Sequence, residues 1–460
     1  MKFNATINDI AEIVMGQSPK GKECNNKGLG LPLLNGPTEF TSRSPIPVQF
    51  TEAGNKFAEP DDILFCVRGS TTGKMNYADQ CYVIGRGIAS IRGKNGYPTP
   101  YVRAVLEQNL DRLLASATGS TFPNVGRDLL NNFEINSVSP EDAREINKLI
   151  ISLEYKIELN RQINQTLESM AQTIFKSWFV DFDPVKAKIA AIEAYEDPDG
   201  VTRAAMRAIS GKTDDELDQM QARRPENYAK LKTTAELFPA AMQDSELGEV
   251  PDGWEVMQFS KLANLDTTSV KPHNEPGKLW EHYSIPAFDV NEAPNLELGS
   301  EIKSNKYKVN PTAILSSKLN PNTPRTWWPD VEDETSAICS TEFMQFVPTD
   351  VAQRTFIFGL VTSDIFQSGI KQRVTGSTGS RQRAQPRAVA EIDVVKPKEE
   401  LVFAYCSHLT ELSVLKAKNI KENITLAQLR DTLLPKLLSG ELSVDAIEMA
   451  RGKNERINPP

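Results

Sequence analysis

Two long stretches of the chain repeat apolar residues at intervals of three and four, which places them on one face of an α-helix. The first stretch begins after Pro140 and has no proline or glycine before Pro184, so it predicts a helix over residues 141–179. The second predicts a helix from about Lys398 to Leu438. The two predicted apolar stripes are Ile146, Leu149, Leu153, Ile157, Ile163, Leu167, Met170, Ile174 and Trp178, and then Leu401, Tyr405, Leu409, Leu412, Leu415, Ile420, Leu426, Leu429, Leu433 and Leu437.

Helices of this length, roughly 55–60 Å at ~1.5 Å per residue, exceed what a compact domain usually buries. Each stripe therefore needs a helical partner, and the economical arrangement is an antiparallel coiled coil of the two. That arrangement would place the domains preceding each helix at opposite ends of a rod. Asn160 and Asn164 lie on or beside the first stripe. They are either solvated residues at its edge or buried asparagines that set the register.

The segments before each helix have a different pattern. Residues 1–140 and 251–397 contain short apolar or β-branched runs between stretches rich in Gly, Pro, Asn and Thr. This pattern predicts α+β domains with mixed sheets of short strands and with helices. Residues 190–250 have a helical but acidic pattern. Representative strand-like runs are Ile63–Val67, Cys81–Ile84, Ile88–Ile91, Ala313–Leu315 and Met344–Val347.

An internal repeat links the two halves of the chain. The tetrapeptide TGST at 118–121 recurs at 375–378, which is 257 positions later. Further along, the helical stripes align at an offset of 259, where Asn164 meets Asn423. A period this long excludes a solenoid and predicts the duplication of a unit made of one domain and one helix.

Charge is distributed unevenly over the 460 residues. The net charge of −9 excludes a uniformly basic nucleic-acid binder. Residues 190–250 alone carry −6, whereas residues 80–106 and 368–388 carry +4 and +5 without an acidic residue. One such basic stretch lies near each TGST, and Arg and Gln side chains suit base edges while Ser, Thr and backbone amides suit phosphates. The alternative is an ordinary basic surface loop.

Motifs for other classes of protein are absent or incomplete. No apolar run approaches the ~18 residues of a membrane span, and the first residues lack the apolar region of a signal peptide. The five cysteines are far apart and form no CxxC pair, so we expect no disulfide framework or metal site and a reducing cytosol. The segment Arg68–Met75 resembles a phosphate-binding loop but lacks its first glycine and its final Ser or Thr. We therefore expect no catalytic residue in this chain.

Four segments carry a resemblance to a known family. NRQINQTLESMAQTIFKSWFVDFDPVKAK (160–188) and NITLAQLRDTLLPKLLSGELSV (423–444) resemble the central and C-terminal conserved regions of the specificity subunit of type I restriction–modification systems. INDIAEIVMGQSPKG (7–21) and LGEVPDGWEV (247–256) resemble the openings of its two target-recognition domains. The resemblance covers nearly the whole chain and respects the order of its parts.

The resemblance implies a division of labour. Each recognition domain would read one half of a bipartite, asymmetric target in double-stranded DNA, and the coiled coil would set the spacer. Two modification subunits, which hold S-adenosylmethionine and methylate adenine, would dock on the conserved regions, and restriction subunits that translocate and cut DNA would join them. The complex would be cytoplasmic, with no membrane and no cofactor in this chain. The implied segments are target-recognition domain 1 (1–140), the central conserved helix (141–189), an acidic helical linker (190–250), target-recognition domain 2 (251–397), the C-terminal conserved helix (398–445) and a tail (446–460).

Candidate site residues follow from loop position, residue chemistry and proximity to the TGST repeats. In the first domain the candidate DNA contacts are Gln17, Lys20, Arg68, Thr71, Lys74, Arg86, Ser120, Thr121 and Asn124. In the second they are Lys318, Arg325, Arg373, Ser377, Ser380, Arg381 and Arg383. The candidates for coiled-coil or partner-subunit contact are Leu153, Ile157, Asn160, Leu167, Ile174, Trp178, Phe179, Leu412, Leu426, Leu433 and Leu437.

Two other classes of function remain open on the sequence. A coiled-coil scaffold whose basic loops bind RNA or protein would show no sequence preference and no co-purifying methyltransferase. A stand-alone nuclease or methyltransferase would show activity as a purified chain, although the incomplete motifs argue against it.

Overall fold

The computed structural model describes residues 3–41, 43–118, 123–331, 333–375 and 382–443. The chain forms two compact units, of which the first comprises Met1–Leu159 with Glu422–Pro460 and the second Asn160–Lys421. Two 40-residue helices contribute to both units: α5 spans Pro140–Phe179 and α14 spans Glu399–Leu438. The predicted helices over 141–179 and 398–438 are thus confirmed to within a residue at their ends.

The first unit contains short strands, as its interrupted apolar runs predicted. Their bounds are β1 Phe3–Thr6, β2 Ala11–Met15, β3 Cys24–Asn25, β4 Leu31–Leu34, β5 Gln49–Thr51, β6 Phe57–Ala58, β7 Ile63–Cys66, β8 Met75–Tyr77, β9 Tyr82–Ile84, β10 Ile88–Gly93 and β11 Glu134–Ser137. One sheet has the order β2-β10-β7-β8 and is antiparallel. A second has the order β3-β5-β4-β9-β6 with a parallel β4–β9 pair, and β1 pairs with β11.

Helices cover one face of the four-stranded sheet in the first unit. They are α1 Ile7–Ile10, α2 Thr99–Gln108, α3 Leu110–Ala115 and α4 Arg127–Asn132. The side chains of β2, β7 and β10 are buried there against α2, against Ile146 and Ile150 of α5, and against Leu437 and Leu438 of α14. A separate cluster around Tyr82 fills the space against the five-stranded sheet.

The second unit repeats this arrangement of strands. Their bounds are β12 Met242–Ser245, β13 Gly248–Pro251, β14 Glu255–Gln258, β15 Ala263–Asp266, β16 Ser269–Val270, β17 Leu279–Tyr283, β18 Asn295–Leu298, β19 Lys306–Lys308, β20 Ile314–Ser317, β21 Thr326–Trp327, β22 Ala337–Cys339, β23 Phe343–Pro348, β24 Val374–Thr375, β25 Arg383–Ala384 and β26 Asp393–Lys396. The main sheets have the orders β15-β23-β20-β21 and β16-β19-β22-β17-β18. The second of these again has one parallel pair, β17–β22.

The duplication predicted from the TGST repeat is confirmed by these strand orders. Strands β15, β23, β20 and β21 follow the same connectivity as β2, β10, β7 and β8, and β14–β26 corresponds to β1–β11. The parallel pair β17–β22 corresponds in the same way to β4–β9. The two units therefore share one architecture despite differing in loop sequence.

The acidic middle segment is helical in the second unit. The helices that belong to this segment or border it are α6 Asp183–Glu193, α7 Pro198–Ser210, α8 Asp214–Arg223 and α9 Pro225–Glu236. The short helices later in the second unit are α10 Ile285–Asn291, α11 Arg354–Thr362, α12 Asp364–Gln372 and α13 Pro386–Ala390. Helices α7 to α9 enclose a small cluster around Met206 and Leu217. Salt bridges from Arg203 to Asp214 and Asp218 connect α7 to α8, so part of the acidic charge is paired within the segment.

The larger core of the second unit is aromatic. Phe175, Trp178 and Phe179, at the end of α5, pack against Tyr405 of α14 with ring centroids 5.0–5.9 Å apart. Phe238, which follows α9, packs edge-to-face against Trp178 with ring centroids 5.2 Å apart. These three aromatic residues at the end of α5 are therefore buried by side chains of this chain, with Trp178 only 1% exposed.

Within each unit the parts of α5 and α14 run antiparallel, as predicted. In the first unit Asn423 Nδ2 donates to the carbonyl of Ile157 at 3.2 Å, and Leu437 joins the core that contains Ile146. In the second, Asn419 Nδ2 donates to Asn164 Oδ1 at 2.9 Å, while Tyr405 reaches Phe175. Rising residue numbers on α5 thus meet falling numbers on α14.

The asparagines on the first stripe are buried, so the interpretation as solvated edge residues is wrong. Asn160 and Asn164 are 1% and 8% exposed, and Asn419 is 6% exposed. Asn164 Nδ2 also donates to the carbonyl of Lys416, at 3.4 Å. A buried amide pair is satisfied only when the two helices meet at this level, which is why such pairs suit the setting of register.

Most predicted stripe residues face the interior, but three do not. Met170, Leu415 and Leu429 are 42–47% exposed. Steps of three and four do not match the repeat of a straight helix, so a long stripe of such positions winds slowly around the helix. The stripe therefore leaves the buried face at some residues. The predicted contact residues are buried (Leu153, Ile157, Asn160, Leu167, Trp178, Phe179 and Leu437) or half-buried (Ile174, Leu412, Leu426 and Leu433).

Two further observations apply to the residue ranges that the structure describes. No helix in them combines the length and apolar character needed to cross a lipid bilayer. The five cysteines, all within those ranges, are free thiols.

Candidate nucleic-acid interface

Four chain segments of the first unit meet beyond the ends of its strands. Val67, directly after β7, donates its backbone N–H to the carbonyl of Gly87 at 2.9 Å and accepts from the N–H of Val125 at 2.8 Å. Gln17 N–H donates to the carbonyl of Ile84 at 2.8 Å. We call residues 16–20, 66–74, 84–87 and 123–125 the first loop end. These bonds satisfy backbone groups that have left the sheet and so hold the loops together.

The first loop end brings together the predicted DNA contacts of the first domain that the structure describes. Thr71 is half-buried, with Oγ1 at 3.6 Å from Cys66 Sγ. Ser120 and Thr121 lie outside the described residues. The exposed members are Gln17, Lys20, Arg68, Lys74, Arg86 and Asn124.

Arg86 is presented by a turn with little freedom. A Cβ atom added to Gly87 would lie 2.2 Å from the carbonyl oxygen of Asn35, and one added to Gly85 would lie 2.1 Å from Asn35 Oδ1. The backbone N–H of Arg86 donates to Ser18 Oγ at 3.1 Å, and Ser18 Oγ donates to Asn35 Oδ1 at 3.0 Å. Sequence reasoning missed Ser18 and Asn35, because nothing in the spacing of the two residues shows that they meet.

The acid-free stretch 80–106 is less positive in the folded chain than its sequence indicates. Arg92 forms a two-point salt bridge with the buried Asp62, with Nε–Oδ1 at 2.5 Å and Nη2–Oδ2 at 3.0 Å. Arg103 pairs with Glu107 at 2.8 Å and lies over the ring of Tyr77. Two of the four charges are therefore neutralised by acids from outside the stretch, whereas Arg86 remains exposed.

The second unit builds its loop end with the same backbone bonds. Lys318, directly after β20, donates its N–H to the carbonyl of Glu342 at 2.9 Å and accepts from the N–H of Ala384 at 2.9 Å. Lys318, Glu342 and Ala384 are thus the counterparts of Val67, Gly87 and Val125. We call residues 317–325, 340–342, 373–375 and 382–385 the second loop end.

One further backbone bond matches between the loop ends. Ser317 N–H donates to the carbonyl of Arg325 at 2.8 Å, as Cys66 N–H does to that of Lys74 at 2.9 Å. Two predicted contacts, Lys74 and Arg325, are therefore counterparts in the repeat.

The predicted DNA contacts of the second domain differ in their exposure and in the hydrogen bonds that they already form within the protein. Arg325 forms a two-point salt bridge with Asp289, with Nε–Oδ1 at 2.6 Å and Nη2–Oδ2 at 2.9 Å, and the Arg325 side chain is 13% exposed. Arg373 is half-buried and donates from Nη1 to the carbonyl of Gly369, while Lys318 is half-buried. Arg383 pairs with Glu342, yet its side chain is 48% exposed. Ser377, Ser380 and Arg381 lie outside the described residues.

Two guanidinium groups of the second unit have pKa values that are shifted in opposite directions. Hydrogen bonding to the Glu342 carboxylate raises the pKa of Arg383. Burial lowers the pKa of Arg354 to about 10. Arg354 Nη2 donates to the carbonyls of Ala313 and Pro329, and its guanidinium lies over the Trp328 ring. Arg354 therefore ties the start of β20 to the segment after β21, at the opposite end of β20 from Lys318, a role that the sequence did not indicate.

The exposed side chains at the loop ends suit the recognition of nucleic acid. Exposed Arg, Lys, Gln and Asn side chains donate to phosphates and to base edges. Within the residues that the structure describes, no group of three or more His, Cys, Asp or Glu side chains is arranged to hold a metal ion.

Comparisons with known proteins agree with this chemistry. The family model for the type I restriction modification DNA specificity domain matches residues 3–169. The chain is 30% identical over 349 residues to the type I restriction enzyme HindI specificity subunit of Haemophilus influenzae, covering 72% of this chain and 74% of that protein. It is 21% identical over 462 residues to the type I restriction enzyme MjaIX specificity subunit of Methanocaldococcus jannaschii, covering 96% and 93% of the two chains.

Two solved structures of S subunits align with nearly the whole chain. The type I restriction-modification S subunit from M. genitalium aligns over 95% of this chain and 96% of its own, with a TM-score of 0.46 and 14% identity. The HsdS subunit from Thermoanaerobacter tengcongensis aligns over 96% and 97%, with a TM-score of 0.31 and 12% identity.

The tight turn at Gly87 gives a direct test of the first loop end. In a Gly87→Ala variant the new Cβ meets a backbone oxygen at 2.2 Å, so the turn must shift. We expect a loss of about 1–3 kcal/mol in the free energy of unfolding, typical of overpacking, and faster amide exchange at Val67. The matched control is Gly21→Ala, where nothing lies within 4 Å. Equal stability and exchange in the two variants would contradict the close packing described here.

Proposed function

This chain belongs to the type I restriction enzyme specificity subunits, and from that premise we propose that its two loop ends read the two halves of one bipartite, asymmetric DNA target. DNA sequence specificity is the function of the family. The comparisons give no support to a scaffold that binds RNA or protein without specificity. The observation that carries the proposal is the shared backbone junction, repeated with different side chains in the two units.

The counterpart positions carry different base-reading chemistry. Isolated bridges pair Arg68 with Asn124 in the first unit and Leu319 with Arg383 in the second, so Asn124 and Arg383 are counterparts. Asparagine pairs bidentately with adenine and arginine with guanine in the major groove. Two similar frames with different side chains support a target whose halves differ in sequence.

Helices α5 and α14 supply the spacing in this proposal. The antiparallel contacts in each unit, including the buried pair Asn164–Asn419, support a fixed register between the helices. A fixed register gives a fixed distance between the two half-sites, and hence a spacer of constant length. The bases of the spacer would go unread.

The catalytic work belongs to partner subunits in this proposal. Modification subunits that hold S-adenosylmethionine would methylate adenine, and restriction subunits would translocate and cut DNA in the cytoplasm. The net charge of −9 supports dependence on partners, since phosphate affinity comes from positive charge. This chain alone would bind DNA more weakly than the assembled complex does.

Exposed apolar residues on the long helices support two equivalent docking places. Tyr155 and Leu429 are 65% and 44% exposed in the first unit, and Val414 and Met170 are 63% and 47% exposed in the second. At the repeat offset of 259, Tyr155 corresponds to Val414 and Met170 corresponds to Leu429. Exposed apolar side chains at repeat-related positions suit two copies of one partner, because each copy meets an equivalent surface.

The function is tested by co-expressing the chain with a modification subunit encoded alongside it, in a host without adenine methylation. Long-read methylome sequencing is expected to show adenine marks in one bipartite motif, and a strain without this chain should lose every mark. Full methylation without this chain, or marks in a motif with no spacer, would refute the proposal.

Docking is tested with the double variant Tyr155→Ser and Leu429→Ser. We expect the affinity for one of two modification subunits to fall about tenfold or more, because anchoring apolar contacts dominate interfaces. Native mass spectrometry of the complex should then show one bound copy in place of two. The control carries Leu29→Ser and Val48→Ser, which are similarly exposed in the same unit but off the helices. Two copies bound in both variants would contradict docking at this position.

A further inference from the structure

Arg383 and Glu342 form a side-on salt bridge at the second loop end. Arg383 Nε lies 3.0 Å from Glu342 Oε2, and Nη2 lies 3.0 Å from Oε1. The Arg383 side chain is 48% exposed and that of Glu342 is 26% exposed. The pair therefore lies at the surface, where a ligand can reach it.

The side-on geometry leaves the other edge of the guanidinium available. Nε and one hydrogen of Nη2 face the carboxylate, whereas Nη1 and the outer hydrogen of Nη2 point away from it. Among the described residues, Arg383 donates side-chain hydrogen bonds to Glu342 and to no other group. Two parallel N–H groups on this end-on edge match the O6 and N7 acceptors of guanine in the major groove.

A second arginine in the same unit shows the contrasting arrangement. Arg325 binds Asp289 side-on in the same way, but its Nη1 donates to the carbonyl of Thr323 at 3.2 Å. Its side chain is 13% exposed. Because its end-on edge is occupied and its side chain is largely buried, Arg325 holds the fold together and offers no equivalent edge to DNA.

The backbone around the Arg383–Glu342 pair is fixed from both sides. Glu342 accepts from Lys318 N–H through its carbonyl, and Ala384, next to Arg383, donates its N–H to the carbonyl of Lys318. Both members of the pair are thus tied to one residue at the end of β20. Because the backbone next to Arg383 is fixed and one edge of its guanidinium is paired, the side chain loses little further conformational freedom when it binds DNA. This favours discrimination between bases.

We propose that Glu342 is a positioning residue that holds Arg383 end-on for one guanine in the half-site read by the second unit. The inference rests on the proposed function and adds to it the base recognised and the residue that orients the reader. Gly87, the counterpart of Glu342, has no side chain, so the first unit has no such support for Asn124.

The test uses the complex of the full chain with its modification subunit and measures base preference at every target position. The readouts are methylome sequencing and binding to a library of single-base variants of the target. Arg383→Ala should relax the preference for one guanine about tenfold or more, and Glu342→Ala should relax the same position by a smaller factor. The double variant should be no more relaxed than Arg383→Ala, since the two residues act as one group.

The control is Asp289→Asn, which removes the carboxylate from the other side-on pair. It should leave the base preferences unchanged even where it lowers stability. The inference is overturned if Glu342→Ala weakens binding equally for all sequences, which a merely structural role predicts. It is also overturned if Glu342→Ala alters a different base pair, which would make Glu342 itself a reader.

These outcomes separate the inference from the function on which it rests. A wild-type complex that shows no bipartite mark overturns both. A wild-type complex with a clear bipartite mark whose guanines are unaffected by Arg383→Ala overturns the inference alone.

Discussion

The loop ends depend on one constraint, which is that backbone N–H and carbonyl groups leaving a sheet must find partners. In the first unit Val67 satisfies this by bonding to Gly87 on one side and Val125 on the other, and Lys318 does the same with Glu342 and Ala384 in the second. These bonds involve no side chains. The same backbone bonds therefore form with different side chains in the two units, such as Asn124 and Arg383, although the close approach of Asn35 requires glycine at position 87.

In the proposed function, a shared backbone frame with different side chains lets a duplicated unit serve an asymmetric target. The exposed Asn124 and Arg383 occupy the same place in the two frames. The Glu342 carboxylate stabilises one orientation of Arg383, whereas the close approach of Asn35 excludes any side chain at Gly87. The helices add the second requirement, a register fixed by buried amides such as Asn164 and Asn419.

Much of the architecture was predictable from local patterns. Helical periodicity gave both long helices, short apolar runs gave strands such as β7 and β10, and the TGST repeat gave the duplication. Those features depend on neighbours in sequence. The stripes failed at Met170, Leu415 and Leu429, where helix drift turns the residues outward.

The site was predictable only in part. Loop position and residue type selected Arg86, Arg68 and Asn124 as candidates, and the structure brings these exposed residues together at the first loop end. Ion pairs between residues far apart in the sequence could not be predicted. Arg325 and Arg383 therefore resembled each other in the sequence, although Arg325 is largely buried in its pair with Asp289 and Arg383 is exposed. In the proposed function, each unit reads its own half of the target. It is tested most directly by comparing base preferences of complexes carrying Arg86→Ala or Arg383→Ala. Each variant is expected to relax base preferences in a different half-site, and changes confined to the same half-site for both variants would contradict separate reading by the two units.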